Sequence, residues 1–264
     1  PKVTLDDVPP LARSFALKET TVGNLKSFHH DCFTNQILYA DLTFDLPEIT
    51  DEELPYVHLL ISLLPQLGSP SRDYHANLEY AQAHTGGIGA TCALHLQTVD
   101  PKQARPCVNI RGKALYRKAD KLLGLLRDTA LHPRFDEAER IKELLLQLRD
   151  NQQHRFNKHA MRYATQLALS GSSVAGHVSE AWYGLRYFKT IEKLCKKLDL
   201  PRLVDRLLLL KEKIFTAHDP HLILSCDHEM FQTLAKNDFY GMSDLPTLPF
   251  SPWKGDYELV PTHS

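Results

Sequence analysis

Fourteen histidines make metal chemistry the first question this chain raises. The metalloprotease pattern His-Glu-x-x-His sets two imidazoles one helical turn apart, with the Glu beside the metal as base. His228-Glu229-Met230-Phe231-Gln232 matches it except at the last position, where Gln232 replaces the second His. The inverted pattern, His-x-x-Glu-His, is approached by His177-Val178-Ser179-Glu180-Ala181 and fails at Ala181. A catalytic zinc takes three protein ligands, so neither stretch supplies a site. His218-Asp219-Pro220-His221 could hold a metal in a turn. The reading favoured is a helix end, with His218 near the carbonyl end of the helix dipole and Asp219-Pro220 as turn residues. His29-His30-Asp31-Cys32 reads likewise as a strand end and turn. His58 is expected as a hydrogen-bonded imidazole inside a buried helix, and His95 as a solvated residue on a polar strand face.

Other chemistries fare no better. A phosphate loop needs G-x-x-x-x-G-K-[ST] between a strand and a helix. Gly86-Gly87-Ile88-Gly89 stands between a helix and a strand and lacks the Lys and the hydroxyl. It reads as a helix C-cap followed by a strand start where another backbone comes close. No G-x-S-x-G nucleophile elbow is present. The basic stretches 111–121 and 189–197 are interleaved with acidic residues and read as solvated faces. The residues alone therefore define no catalytic, cofactor-binding or metal site.

The elements that would position any site follow from periodicity. Leu38, Ala40, Leu42, Phe44 and Leu46 alternate with polar residues, the signature of a strand over 36–46 with one buried face. Extended stretches at 14–22 and 24–29 are expected to pair with it as a meander. Thr50 and Glu53 form a capping box ahead of a helix over 50–67. That helix carries Leu59 and Leu63 beyond one apolar face, and Pro65 should end it. A helix over 73–84, strands over 88–96 and 107–113, and helical stripes from 115 onward come next. The stripe from 136 to 169 keeps one register and predicts a single long helix. Helices over 188–197 and 202–215, a strand over 222–226 and a short helix over 228–236 complete the series. Strand runs alternating with helix pairs predict an α+β fold: a mainly antiparallel sheet with helices packed on one face and a long helical second half.

Composition narrows the partners. Lys plus Arg is 31 and Asp plus Glu is 32, a net charge of -1, which argues against nucleic-acid binding. No apolar run reaches the roughly 18 residues of a membrane span. Five cysteines without a C-x-x-C pair exclude a disulfide framework or Cys-rich zinc module. They point to a reducing soluble compartment, the cytoplasm or alternatively an organelle matrix. The chain opens at Pro1 with no secretory pattern and reads as a piece of something longer.

Certain phrases carry a family likeness. Thr34-Asn35-Gln36-Ile37-Leu38-Tyr39 enters a strand, and Glu53-Leu54-Pro55-Tyr56-Val57 opens a helix ending in Leu67-Gly68-Ser69. Arg72-Asp73-Tyr74 opens the next helix, which runs to Thr85-Gly86-Gly87-Ile88. His132-Pro133-Arg134-Phe135-Asp136-Glu137 precedes the long helical stretch. In this order they resemble the third of four homologous domains in the presequence protease and falcilysin branch of the insulinase-type (pitrilysin-like) zinc metallopeptidases.

The resemblance implies two halves enclosing a chamber in which short unstructured peptides are hydrolysed. It implies zinc bound by His-x-x-Glu-His in the first domain only. The matching helix here reads Leu59-Leu60-Ile61-Ser62-Leu63, so this fragment is expected to be inactive and to carry no metal. Implied partners are the N-terminal catalytic half, a following domain of the same protein, and peptide substrates. On this plan residues 1–23 are a linker or edge strand from an upstream half. Residues 24–240 form one metallopeptidase-like domain, and 241–264 an extended linker toward the next. A stand-alone protein-interaction module without peptidase activity is the alternative.

Overall fold

A computed structural model describes residues 4, 7, 15–23, 25–97, 100, 104–216, 220–246 and 251–259. Strand β3 (Ile37–Asp45) turns Leu38, Ala40, Leu42 and Phe44 into the core, as its alternation demands. It lies inside a six-stranded sheet with β1 (Lys18–Val22), β2 (Leu25–Asp31), β4 (Ile88–Leu96), β5 (Ala104–Leu115) and β6 (His221–Cys226), in the order β1-β2-β6-β3-β5-β4. The β2–β6 pair is parallel and the other pairs are antiparallel, so the sheet is mixed. The expected meander is thereby corrected: β2 does not pair with β3, because β6 lies between them. Leu222, Leu224 and Cys226 are fully buried, as a central strand requires, but a six-residue strand gives no local sign of which neighbours it will separate.

Helix α1 (Leu54–Leu63) packs beneath the sheet with Leu54, Val57, Leu59, Leu60, Ile61 and Leu63 all buried. It starts later than the capping box implies. Glu53 accepts from the Thr50 backbone N–H at 2.8 Å and from its hydroxyl at 3.0 Å, which is half of the box. Pro55 explains the shift. A helix begun at residue 51 would need an N–H from Pro55, whereas in the first turn that N–H is not required. A 3-10 turn, Leu64–Gln66, containing Pro65 ends the helix.

Helix α2 (Tyr74–His84) is capped by Asp73, whose carboxylate accepts from the Ala76 N–H at 2.8 Å. Beyond it Gly87 holds φ at +110°, a glycine conformation. The close backbone approach expected there is made by β5: the Gly86 N–H donates to the Lys113 carbonyl at 2.7 Å, and the residue with no room for a side chain is Gly112. A Cβ on Gly112 would meet Leu122 at 2.7 Å and the Gly87 carbonyl at 3.2 Å, while one on Gly87 or Gly89 would meet nothing within 4 Å.

Helix α3 (Ala119–Leu131) follows, then α4 (Ala138–Lys158) and α5 (Ala160–Ser170), which correct the single helix expected over 136–169. The chain leaves helical geometry at His159, with φ -127° and ψ 37°. The Tyr163 hydroxyl donates to Gln152 at 3.2 Å. In one straight helix those residues would stand about 16 Å apart along the axis, so the contact requires the break. Helix α6 (Val174–Tyr183) falls between the stripe expected to close at 169 and the helix expected from 188, where no element was expected. Ser173 caps it by accepting from the Gly176 N–H at 3.0 Å. Helices α7 (Leu185–Lys196), α8 (Leu200–Phe215) and α9 (His228–Lys236) complete the fold.

The helices cover one face of the sheet. On the other, Tyr39, Arg111 and Ile223 are exposed. The 3-10 segment Asp238–Asp244 runs through residue 240 and buries Phe239 and Met242. Farther on, residues 251–259 lie against 47–50. The Glu48 N–H donates to the Ser251 carbonyl at 2.9 Å. The Tyr257 hydroxyl donates to the Ile49 carbonyl at 2.8 Å and accepts from Trp253 Nε1 at 2.8 Å. Residues 217–219, 247–250 and 260–264, including His218, Asp219, Phe250 and Val260, are outside the described residues.

Candidate functional site

The place to look for catalysis is α1, the helix that would bear the metal motif. Its one imidazole is His58, and the structure sets that ring apart from ligand chemistry. The imidazole lies edge-on to Tyr183 and Tyr187, with ring centroids 4.7 and 4.5 Å away. Its Nδ1 is buried and makes no hydrogen bond, which corrects the expectation of a bonded core imidazole. Burial, assisted by the nearby Arg155 charge, lowers its pKa to about 4, so it is neutral at pH 7. Around it Leu59, Leu60 and Leu63 are fully buried. The neighbours that a zinc would need are therefore apolar, and the residues do not fit a metal. Among the described residues no group of three His, Cys, Asp or Glu could hold one.

The two incomplete motifs are pulled apart by their own contacts. On α6, His177 Nε2 pairs with Asp51 at 2.6 Å and its ring stacks on Tyr257, with centroids 5.4 Å apart. Glu180, which would be the base of such a motif, is turned inward. Both its oxygens accept from the Arg186 backbone N–H at 3.3 Å, at the start of α7. Burial raises its pKa against the opposing pull of those backbone donors. His228 opens α9 on the surface, where the Gln232 amide donates to its Nε2 at 2.9 Å. The hydrogen bond ties Gln232 to the one imidazole it would have to join in metal binding.

Several of the other histidines have structural partners. His29 is buried at the end of β2, donates from Nε2 to the Cys226 carbonyl at 3.0 Å, and stacks on Phe231 at 4.2 Å. His30 meets Phe15 edge-on at 5.4 Å. His221 Nε2 lies 4.0 Å from Asp45. The Asp45 pKa is lowered chiefly by the neighbouring His221, in spite of burial. His95 is exposed on β4. Cys32, Cys92, Cys107, Cys195 and Cys226 are all free thiols.

One polar cluster has no counterpart in the sequence reading. Asp51 accepts from Arg186 Nη1 at 2.8 Å as well as pairing with His177, and its backbone carbonyl accepts from Arg186 Nη2. Burial would raise the Asp51 pKa, but the Arg186 and His177 bonds outweigh it and lower it. With Tyr257 stacked on His177, the cluster clamps the loop before α1, the α6–α7 corner and the C-terminal segment together. The partners are 126 and 135 residues apart, beyond any motif spacing.

The chain thus joins a mixed sheet, covered by helices on one face, to an α1 whose motif positions are buried leucines. Among solved structures, the periplasmic protease PqqL from Escherichia coli matches 95% of the chain and 25% of its own, with TM-score 0.58 and 10% identity. Its likeness concerns the fold. The family model described as Peptidase M16-C associated matches residues 1–194, and the chain belongs to that family. Protein HypA of Clostridium perfringens is 24% identical over 259 residues, covering 98% of this chain and 27% of that protein. Presequence protease 1, chloroplastic/mitochondrial, of Arabidopsis thaliana is 26% identical over 201 residues, 75% of this chain and 18% of that protein. The chain thus spans about a quarter or less of the relatives it matches, and it is similar to a non-catalytic domain of presequence protease-like enzymes. The presequence protease and insulinase-type likeness read from the sequence agrees with these matches.

Proposed function

We propose that this chain is a non-catalytic domain of a zinc metallopeptidase that degrades short unstructured peptides. In this reading it forms part of the chamber wall, residues 24–240 being the domain and the flanking segments leading to its neighbours. The observation that carries the reading is α1: its motif positions are occupied by buried Leu59, Leu60 and Leu63, so zinc must be held by another part of the protein. Membership of a peptidase-associated family supports the same division of labour. The partners are the catalytic half and a following domain of the same polypeptide, with peptides as substrates. Five free thiols favour a reducing soluble compartment, and an organelle matrix suits the mitochondrial and chloroplastic relatives.

The test is reconstitution. The chain and the remainder of its protein, made separately, are expected to associate and to cleave an unstructured peptide in the presence of zinc, with no turnover by this chain alone. No association, with a remainder that is fully active unaided, would refute the reading and favour a stand-alone interaction module.

A further inference from the structure

Strand β4 is an edge of the sheet: among the described residues it pairs only with β5. Natural edges are defended by charge, proline or a bulge. The opposite edge, β1, carries Lys18 and Glu19, whereas β4 reads Ile-Gly-Ala-Thr-Cys-Ala-Leu-His-Leu and has no Lys, Arg, Asp, Glu or Pro. The Cys92 carbonyl accepts from the Tyr183 hydroxyl at 2.7 Å, and so faces away from β5. Outward-facing residues alternate along an antiparallel strand, so the N–H and C=O groups of Leu94 and Leu96 face outward as well. Beside this edge lies a groove of about 700 Å³, lined by Leu94 and Leu96, by Met161, Arg162 and Leu169 of α5, and by Tyr183 of α6. Leu96, Met161 and Leu169 are 51%, 80% and 55% exposed, a concentration of uncovered apolar surface. The Arg162 guanidinium is exposed at the groove and has no partner among the described residues.

We infer that this groove binds an extended peptide. The peptide adds as a strand to β4 at Leu94 and Leu96, seats an apolar side chain against Met161 and Leu169, and presents a carboxylate to Arg162. Each part of the site selects a part of the ligand. Unpaired strand groups accept only an extended backbone, the apolar walls take alternate side chains, and the lone guanidinium takes an anion. The inference rests on the reading of the chain as a domain of a peptide-degrading enzyme for the source of its ligand, though not for the binding itself.

The experiment measures fluorescence anisotropy of a labelled hexapeptide of alternating Leu and Thr with a free C-terminal carboxylate, titrated with this chain. Two further versions carry N-methyl groups on the leucines or on the threonines. Strand addition uses the amides of only one set. One version is therefore expected to lose about tenfold or more in affinity and the other less than about twofold. Leu96→Asp and Met161→Glu, both at exposed positions, should each weaken the parent peptide about tenfold. Arg162→Ala should weaken the carboxylate peptide and leave its C-terminal amide unchanged. No binding, or equal losses in both methylated versions, overturns the inference. So does binding that vanishes when the rest of the protein is added, because another segment of the same polypeptide would then fill the groove. In the reconstituted enzyme, a Leu96→Asp variant with normal assembly and unchanged KM would overturn the groove while leaving the domain reading intact. Failure of the unsubstituted chain to assemble would overturn the domain reading and leave the groove intact, whereas failure of the Leu96→Asp variant alone would place Leu96 in an interdomain contact and overturn the groove.

Discussion

His58 should make this fold sensitive to mild acid in a way that can be isolated. Its ring is enclosed by Tyr183 and Tyr187, its Nδ1 has no partner, and its pKa falls from 6.5 to about 4. The unfolded chain therefore takes up this proton at higher pH than the folded one. The associated stability is fully present above about pH 6.5, declines as pH falls, and is gone below about pH 4. A difference of about 2.5 pKa units corresponds to about 3 kcal/mol in all, about 2 of it lost by pH 5. Asp45, Asp51 and Glu53 have lowered pKa values and lose stability in the same direction, as pH falls through the ordinary carboxylate range and below it. Glu180 works the opposite way, since its raised pKa favours the folded protein as pH falls.

His58→Phe keeps a flat ring between the two tyrosines and removes the titration. Urea unfolding of both proteins from pH 7.5 to 4.5 gives the difference curve. The variant should gain on the parent by about 2 kcal/mol between pH 7 and 5. Parallel curves across this range would show that the folded ring takes up its proton as readily as the unfolded one, refuting the burial argument.

The remaining expectations test other parts of the fold. Leu60→Ala or Ile61→Ala should cost about 2–5 kcal/mol by denaturation, since both are fully buried in α1, and losses under about 0.5 kcal/mol would place that helix at the surface. Asp51→Asn should cost less than about 1 kcal/mol, because the carboxylate is half exposed. It should nevertheless speed proteolysis within 251–259, and an unchanged cleavage rate would show that the clamp does not hold that segment. Gly112→Ala should destabilise the protein by about 1–3 kcal/mol through overpacking against Leu122 and Gly87, as read from the thermal midpoint. Zinc added to this chain should produce no hydrolysis of an unstructured peptide. Turnover abolished by His228→Ala would show that the α9 histidine reaches a metal after all.

What the sequence disclosed divides by range. The β3 alternation, the Asp73 cap and the width of the α1 apolar surface are local patterns, each produced by residues within a few positions of one another. The break at His159 was invisible because residues 138–170 keep a helical stripe on both sides of it, and the Tyr163–Gln152 bond that requires it is a tertiary contact. Helix α6 was concealed by Gly171-Ser172-Ser173, which ends one helix and, through Ser173, begins another. The Asp51–His177–Arg186 clamp joins loop and helices far apart in the chain, and the β4 groove exists only once α5 and α6 fold beside the sheet. Family phrases located the domain type, but they did not reveal that β6 separates β2 from β3.

The position of β6 has a consequence during synthesis. Strand β2 ends at Asp31 and its parallel neighbour ends at Cys226, about 195 residues later. At roughly 5–20 residues per second, a ribosome needs about 10–40 s to deliver the strand that joins the two parts of the sheet. Throughout that interval the β1–β2 hairpin and the β3–β5–β4 sheet can form, yet each presents an unpaired edge to the other and to neighbouring nascent chains. Nascent chains stalled before residue 221 should therefore remain chaperone-bound, and release should coincide with emergence of Leu222, Leu224 and Cys226 from the exit tunnel.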